Sequence, residues 1–379
     1  MLQASRRGRS LAPGSNYKRL TASQRLLSNF LTNNSSKLLE PSAFSLIMAG
    51  DLVLLTGGTG FLGYAILVDL LKTGYRVRVA ARSQHKIDQV RAAPSISALG
   101  PHTTQLTFVI VPDMTAVGAY DAAVQGVDFI LHVAAPLHAE AETGDPASRK
   151  EQLEEVFVST SVKGNLGILK AANEKGKTVK RIVMTSSTVA IMPAEVFFAD
   201  TPERHVLRGP ESRVSIPPPP YDSDLQAYCV AKAAGLNASE AFMRDNNTAF
   251  DLISIMPSLI FGADELFTDT RSMRTGSTIM LVNSLLTGKP GEAAIGNSVL
   301  CSDVARAHVR ALDPDIKGNQ SFVLNSDTKW EDTIPIAKKY FPDAFQSGRF
   351  KDRDPQPTIS LKWDTTKVRL CDCIRSLLF

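Results

Sequence analysis

The chain has 379 residues, 44% hydrophobic and 21% charged, and is long enough to bury one large α/β core or two smaller ones. No apolar run approaches the roughly 20 residues that a membrane-spanning helix needs, and the four cysteines show neither a disulfide framework nor zinc-site spacing. The net charge of +4 comes from residues 1–47, so the rest of the chain is not basic and no broad nucleic-acid surface is expected.

Residues 1–47 form a basic leader, rich in Ser and Asn, in which Glu40 is the only acid. This composition fits a disordered or untranslated leader, with translation starting at Met48, and it also fits a mitochondrial transit peptide. Because the cysteine usage favours a reducing compartment, we expect a cytoplasmic protein, with the mitochondrion as the alternative.

From residue 52 onward, strand and helix patterns alternate regularly. Periodicity predicts strands and helices in turn. The strands lie at 52–56, 76–81, 106–111, 127–133 and 181–185, and the helices at 61–73, 83–92, 117–124 and 150–175. This alternation predicts a doubly wound parallel sheet of the Rossmann type, in the α/β class.

The pattern changes after residue 190. Residues 191–226 are rich in proline and predict a loop over the sheet edge, followed by a helix at 227–246 and a strand at 250–256. Beyond Pro257, short helices at 277–286 and 302–312 predict a smaller C-terminal substrate lobe. We therefore divide the chain into the leader at 1–47, a Rossmann domain at 48–257 and a lobe at 258–379.

The stretch LVLLTGGTGFLG, at 52–63, places four glycines between a strand and a helix. Gly58, Gly60 and Gly63 satisfy G-x-G-x-x-G, whereas Gly57, Gly60 and Gly63 satisfy G-x-x-G-x-x-G. Either register predicts a turn at which a pyrophosphate reaches backbone N–H groups at a helix N-terminus. A dinucleotide is therefore expected to contact Gly57, Thr59, Gly60, Phe61, Leu62 and Gly63.

The end of the second strand distinguishes the two nicotinamide dinucleotides. A carboxylate there suits the ribose of NAD, and a basic group suits the 2′-phosphate of NADP. The stretch RVRVAARSQHK contains Arg82 and Lys86 and no acid, so NADP(H) is predicted. Asp113, with Met114 beside it, is expected on the adenine side.

A tyrosine and a lysine stand four residues apart in YCVAK, at 228–232, and share one face of the predicted helix. A phenol, with a pKa near 10, is a poor acid–base group at neutral pH unless a fixed positive charge stabilises the phenolate. The strand ending in TSS offers the hydroxyl of Ser186 or Ser187 for the same substrate carbonyl.

In their order along the chain, these motifs resemble an extended short-chain dehydrogenase/reductase, in the branch of dihydroflavonol reductases and fungal ketone/aldehyde reductases. The resemblance runs from about Leu52 to Trp363 and includes TGGTGFLG, ARSQHK, LHVAAP, TSS, YCVAK and IMPSLIFG. It implies that NADPH reduces a small, largely apolar ketone or aldehyde. Ser187, with Ser186 as the alternative, would polarise the carbonyl and Tyr228 would donate the proton. The nicotinamide side would be contacted by Ala134, Ala135, Pro136, Tyr228, Lys232, Pro257 and Ser258.

Within this resemblance, Lys232 is implied to lower the tyrosine pKa and to bind the ribose. Two features depart from the family pattern. Thr160 and Ser161 stand where members often carry Asn or Pro, and the chain ends in LCDCIRSLLF where a Gly-Phe turn and a final helix are usual. The altered C-terminus is expected to expose apolar surface and to lower stability or activity.

The sequence disfavours a metal site and two other functions. His132, His138 and Glu140 are explained by strand-end packing and loop exposure, so no metal is predicted. A sugar-nucleotide epimerase or dehydratase would use the same motifs with tightly held NAD, and Arg82 argues against it. A non-catalytic dinucleotide-binding protein would lose part of the Ser, Tyr and Lys set, which is complete here. We expect a monomer or homodimer.

Overall fold

The computed structural model describes residues 50–135, 150, 152–198, 202–267, 277–287, 293–354 and 356–370. The leader at 1–47 and Pro136, His138 and Glu140 lie outside the described residues, as do residues 371–379. Within the described ranges, no helix is both long and apolar enough to cross a membrane.

The strands are, in chain order, β1 (Leu52–Thr56), β2 (Arg76–Ala81), β3 (Leu106–Ile110), β4 (Phe129–His132), β5 (Arg181–Thr185), β6 (Asp251–Pro257), β7 (Leu259–Phe261), β8 (Ala294–Ile295), β9 (Asn297–Leu300), β10 (Gln320–Leu324), β11 (Ser326–Asp327) and β12 (Thr358–Ile359). The helices are α1 (Phe61–Thr73), α2 (Gln84–Ala92), α3 (Pro94–Ala98), α4 (Thr160–Lys175), α5 (Ala194–Phe198), α6 (Asp224–Asp245), α7 (Thr278–Leu286), α8 (Cys301–Arg310), α9 (Thr333–Tyr340), α10 (Pro342–Gln346) and α11 (Thr366–Leu370).

Seven parallel strands form the central sheet in the order β3-β2-β1-β4-β5-β6-β10. This is the Rossmann strand order. The order in which the chain adds strands reverses between β1 and β4, which leaves a ligand crevice at the carboxyl ends of those two strands. Thr56 and His132 are register partners at that point, so β1 and β4 end at the same level. The predicted doubly wound parallel sheet is confirmed.

Helices pack on both faces of the sheet. On one face, buried residues of α1, such as Ile66 and Leu70, share a core with Val304 of α8. On the other face, Ile168 and Leu169 of α4 form a second core with the strands. Because both faces are covered, the central strands are apolar on both sides, as the continuous run at 52–55 indicated.

Two predicted segments differ from the structure. Residues 117–124 form turns in place of the predicted helix, because Gly118 has a φ of +72° and interrupts helical bonding. Residues 191–226 were predicted to be a loop, but they contain α5 and a 3₁₀ turn at Pro202–His205. The helix α5 forms because Ala194 and Val196 bury their side chains.

The long predicted helix at 150–175 is also modified, because a π-helical stretch at Glu154–Ser159 precedes α4. The backbone N–H of Thr160 donates to the carbonyl oxygen of Glu155, five residues earlier, whereas an α-helical bond spans four residues. A π-helical stretch of this kind is frequent at functional sites. It lies directly before the α4 residues that face the pocket described below.

Strands after residue 257 build two small sheets and complete the large one. One small sheet has the order β11-β9-β7, and the other pairs β12 with β8. The strand β10, from the same part of the chain, pairs with β6 at the edge of the central sheet. The segment assigned to the lobe therefore contributes to the Rossmann sheet as well, and the boundary at residue 257 stays a prediction.

Arg181, at the start of β5, connects the sheet to the turn after α8. Its guanidinium donates to the Asp251 carboxylate at 2.6 and 2.9 Å. It also donates to the carbonyl oxygens of Ala311, Asp313 and Ile316 at 2.7 to 2.8 Å. Because the Arg181 side chain is only 8% exposed, this single residue satisfies several carbonyls in a nearly water-free place.

Candidate active site

The turn between β1 and α1 requires glycine at two positions. Gly57 has a φ of +72°, and a Cβ on it would lie 2.7 Å from the backbone nitrogen of Ala134. A Cβ on Gly63 would lie 2.0 Å from the carbonyl oxygen of Gly57. At Gly58 the close contacts are side chains, which can shift more easily. The structure therefore favours the register of Gly57, Gly60 and Gly63.

The same turn leaves room and donors for an anion. Gly60 is the N-cap of α1 and, being a glycine, supplies no side-chain acceptor to the first helical turn. A Cβ on Gly60 would meet only the Gly57 carbonyl oxygen, at an ordinary 3.5 Å. The N–H groups of Phe61 and Leu62 have no partner within the helix, and they lie at the positive end of its dipole. These features fit the pyrophosphate of a dinucleotide.

The groups predicted on the adenine side lie at neighbouring strand ends. Arg82 follows β2 and Lys86 lies in the first turn of α2, and both are exposed. One oxygen of Asp113 accepts from the N–H and hydroxyl of Thr115 at 2.8 and 2.7 Å, and these bonds lower the pKa of the carboxyl. The other carboxylate oxygen of Asp113 accepts no hydrogen bond from Thr115.

The helix α6 presents Tyr228 and Lys232 on one face. The Lys232 Nζ lies 5.9 Å from the centre of the Tyr228 ring and 3.4 Å from the carbonyl oxygen of Thr185. The Ser187 hydroxyl lies near enough to the Tyr228 phenol to oppose the rise of its pKa, and it donates to the Pro257 carbonyl oxygen at 3.4 Å. The Ser186 hydroxyl, by contrast, is buried without a partner among the described residues. The contact with Tyr228 therefore favours Ser187 over Ser186 as the hydroxyl that faces the substrate.

Burial sets the pKa values of this pair. Burial raises the pKa of Tyr228 to about 12, with a smaller contribution from Cys229, and the nearby Ser187 hydroxyl opposes the rise. Burial lowers the pKa of Lys232 to about 8. Burial sets the net direction of the Tyr228 pKa, and the implied lowering of that pKa by Lys232 stays a prediction. At neutral pH the phenol is protonated and most of the lysine is charged.

A small, partly open pocket lies where these elements meet. It brings together Met114, Ala134, Ala135 and Lys232, which were all predicted to contact the cofactor. The rest of its lining comes from the end of β5, the middle of β6 and the helices α4 and α6: Ser161, Asn165, Met184, Thr185, Ser186, Leu236, Ser239 and Ser254.

The two site residues predicted at the end of β6, Pro257 and Ser258, form hydrogen bonds with neighbouring elements. The carbonyl oxygen of Pro257 lies 3.4 Å from the Ser187 hydroxyl, which places the end of β6 beside the serine. The backbone N–H and the hydroxyl of Ser258 both donate to the Leu324 carbonyl oxygen, at 3.0 and 3.3 Å. The Ser258 side chain is therefore held by β10.

Comparison with known proteins agrees with this geometry. The model of the NAD dependent epimerase/dehydratase family matches residues 53–324, from β1 to the end of β10. The chain belongs to this family. Membership of the epimerase/dehydratase family supports a nicotinamide dinucleotide as the cofactor class.

Individual relatives narrow the comparison. The ketoreductase CTB6 of Cercospora nicotianae is 35% identical over 331 residues, which cover 85% of this chain and 89% of that protein. The NAD-dependent epimerase/dehydratase FUM13 of Gibberella moniliformis is 32% identical over 309 residues, or 77% and 81% of the two chains. The structure of Gre2 from Candida albicans with NADPH matches with a TM-score of 0.69 at 25% identity, over 86% of this chain and 93% of that chain. The predicted resemblance to extended short-chain dehydrogenase/reductases is confirmed.

In this epimerase/dehydratase family member, a buried histidine that the sequence did not indicate supports the strand end beside Lys232. The Nδ1 of the buried His308 donates to the Val304 carbonyl oxygen at 2.8 Å, so its Nε2 accepts from the Thr185 hydroxyl, also at 2.8 Å. The bond fixes the end of β5, whose carbonyl oxygen contacts Lys232. No sequence signal links positions 185 and 308, because only the packing of α8 brings them together.

Proposed function

We propose that the protein is an NADPH-dependent reductase that transfers a hydride to the carbonyl of a small, largely apolar ketone or aldehyde. The observation that carries this proposal is the convergence of the Ser187 hydroxyl and the Tyr228 phenol, with Lys232 close behind the tyrosine ring. The similarity to the ketoreductase CTB6 and to the NADPH complex of Gre2 supports a carbonyl reductase.

The cofactor would be held along the carboxyl edge of the sheet. The turn at 57–63 would bind the pyrophosphate, and Arg82 with Lys86 would bind the 2′-phosphate. Asp113 would accept from the adenine, and Lys232 would bind the nicotinamide ribose. When bound, NADPH supplies the hydride.

Side chains of the protein would stabilise the negative charge that develops on the substrate carbonyl oxygen. Tyr228 is protonated at neutral pH, since burial raises its pKa to about 12, and it donates its proton as negative charge develops. The Ser187 hydroxyl, oriented by the Val189 N–H at 3.4 Å, holds the same oxygen. The Lys232 ammonium stabilises the phenolate that remains after proton transfer.

An apolar wall beside Tyr228 supports an apolar substrate. Val189, Ala194 and Cys229 form a buried cluster, and Phe197 packs against it together with the Tyr228 ring. A hydrophobic substrate body against this wall would exclude water from the reacting carbonyl, which strengthens the hydrogen bonds of Ser187 and Tyr228.

A carbonyl panel tests the function directly. Purified protein incubated with NADPH and a series of ketones and aldehydes is expected to consume NADPH, followed as loss of its absorbance, and to form the alcohol. Tightly bound NAD that co-purifies, without net oxidation, would support the epimerase or dehydratase alternative. NADPH binding without turnover of any carbonyl would support a non-catalytic binding protein.

Replacing Arg82 tests the choice of cofactor. Arg82→Ala is expected to raise the KM for NADPH by about tenfold to a hundredfold, because a charge-assisted bond to the phosphate is lost, and to leave the KM for NADH nearly unchanged. Arg91→Ala is the matched control, since Arg91 is an exposed arginine in the last turn of α2, the helix that begins two residues after Arg82, and lies 5.1 Å from the Phe108 ring. Equal effects of Arg82→Ala on both cofactors would contradict a phosphate contact.

The pKa of Lys232 predicts the alkaline limb of the pH profile. Because burial lowers this pKa to about 8, kcat/KM for NADPH should fall as the pH rises through about 8 and the ammonium loses its proton. The profile of kcat/KM is the right readout, because it reports groups of the free enzyme. Lys232→Arg keeps its charge at high pH and should shift the fall upward. An unchanged limb in that variant would assign the fall to another group.

A further inference from the structure

His132, at the end of β4, is a buried histidine that the proposed reaction does not use. It is only 2% exposed and meets the edge of the Tyr120 ring, with the ring centres 6.1 Å apart. Its Nε2 is buried, and no described residue partners it within ordinary hydrogen-bond geometry. A buried polar atom left without a partner is costly, so the group that it faces is of interest.

The hydrogen bonds of Thr56 determine which ring nitrogen of His132 carries the proton. The Thr56 hydroxyl oxygen accepts from the N–H of Ala134 at 3.2 Å and, at the same distance, from the N–H of Val133, which is shared with the Thr56 carbonyl oxygen at 3.3 Å. A hydroxyl has two acceptor positions and one hydrogen, so its hydrogen is left for the His132 Nδ1, 2.9 Å away. The Nδ1 is therefore an acceptor, and the ring hydrogen is on Nε2.

The ring stays neutral over the physiological range. Burial lowers the pKa of His132 to about 4, and the charge on Lys232 acts in the same direction. The nearby Asn165 amide opposes this change, so it is the polar group closest to an Nε2 that has no partner in ordinary hydrogen-bond geometry among the described residues. Its oxygen is the part that can accept from Nε2–H.

The hydrogen bonds of Ser239 determine the orientation of the Asn165 amide, and this orientation agrees with an Nε2–H on His132. The Ser239 hydroxyl donates to the carbonyl oxygen of Gly235 at 2.7 Å, so it can only accept from the Asn165 Nδ2, at 3.3 Å. The amide nitrogen of Asn165 thus faces Ser239, and its oxygen is free for His132. The bonds of Thr56 and those of Ser239 are therefore compatible with one series of donors: Thr56 donates to His132, His132 to Asn165, and Asn165 to Ser239 on α6.

We propose that His132 and Asn165 are positioning residues for hydride transfer, with His132 donating its Nε2–H to the Asn165 amide oxygen. The inference rests on the proposed reductase function. The bonded chain connects the loop at 133–135, expected beside the nicotinamide, to Gly235, three positions beyond Lys232. It thereby sets the distance between the nicotinamide loop and the face of α6 that carries Tyr228 and Lys232.

The packing of α6 on α4 agrees with this role. A Cβ on Gly235 would lie 2.9 Å from the Ser161 hydroxyl and 3.0 Å from the Asn165 amide nitrogen. The absence of a side chain at Gly235 therefore lets the polar face of α4 approach α6. Asn165 and Ser161 both line the pocket beside Lys232.

Nitrogen NMR of histidine-labelled protein tests the hydrogen-bond direction without any activity. The His132 signals, assigned from their loss in His132→Gln, are expected to show a protonated Nε2 and an unprotonated Nδ1, unchanged from pH 8 down to about pH 5. A protonated Nδ1, or a ring that titrates near its ordinary pKa, would overturn the proposal. This outcome is separate from a failure of the reductase function, which the carbonyl panel reports.

Kinetics test the positioning role. His132→Phe keeps an aromatic ring and loses both nitrogens, and its kcat at saturating NADPH is expected to fall about tenfold to a hundredfold, as for a small misplacement of reacting groups. His132→Gln, which keeps a donor, should recover most of the loss, and the exposed His205→Phe should match the wild type. The double variant His132→Phe/Asn165→Ala should lose no more than the worse single variant. A lowered unfolding temperature with kcat retained would indicate a merely structural role and overturn the proposal.

Discussion

Tyr228→Phe is expected to lower kcat by about 10²–10⁴-fold while the protein stays folded and keeps its affinity for NADPH. The substitution removes only the hydroxyl, which is the proposed proton donor, and general acid catalysis is typically worth this much. Steady-state kinetics, with NADPH affinity measured by fluorescence titration, check the result.

A second tyrosine gives a matched control for this variant. The hydroxyl of Tyr75 is buried and has no hydrogen-bond partner among the described residues, and Tyr75 lies just before β2, away from the proposed site. Tyr75→Phe should therefore leave kcat close to that of the wild type. If Tyr228→Phe retained wild-type kcat, another group would be the proton donor.

Arg181→Leu is expected to lower the free energy of unfolding by about 3–5 kcal/mol, the usual cost of removing one partner from a buried ion pair. The loss would leave the Asp251 carboxylate and the carbonyls of Ala311, Asp313 and Ile316 without their donor. The turn after α8 would then detach from the sheet. Urea unfolding, followed by circular dichroism, measures the change.

An exposed arginine provides the comparison for Arg181. Arg244 pairs with Asp245, and their side chains are 70% and 61% exposed. Arg244→Leu should change the free energy of unfolding by less than about 1 kcal/mol, as exposed ion pairs do. Similar losses for the two arginine variants would contradict the structural importance of the buried contacts.

The sequence predicted the central elements well because local signals agree with the tertiary environment there. The helix at Phe61–Thr73 was predicted with its correct bounds, since a glycine turn precedes it and Gly74, with a φ of +97°, ends it. The prediction was wrong at 117–124, where helix-compatible residues surround a glycine of positive φ. It was also wrong about α5, because packing stabilises a short helix in a proline-rich segment.

Part of the candidate site was also predictable. The motif order indicated the glycine turn, the Tyr228 and Lys232 pair and a serine after β5, but two alternatives needed coordinates. The choice of Gly57 over Gly58 depends on the approach of the backbone at Ala134. The choice of Ser187 over Ser186 depends on which hydroxyl reaches the phenol.

The hydrogen bonds around the site could not be predicted from one sequence. His132 was interpreted as strand-end packing, and its partners Thr56 and Asn165 lie on other elements, far apart along the chain. The direction in which the pKa of Tyr228 shifts could not be predicted either, because it depends on how completely the phenol is removed from water. Burial and hydrogen-bond direction are properties of the assembled fold.

Isotope transfer tests the central claim most directly. The wild-type protein, given NADPH deuterated at nicotinamide C4 together with a reducible carbonyl compound, should produce an alcohol with deuterium on its carbinol carbon, as mass spectrometry reads. Under the same conditions, Tyr228→Phe should bind the cofactor and form little labelled alcohol. A wild-type protein that leaves every carbonyl unlabelled while retaining bound NAD would contradict the reductase account.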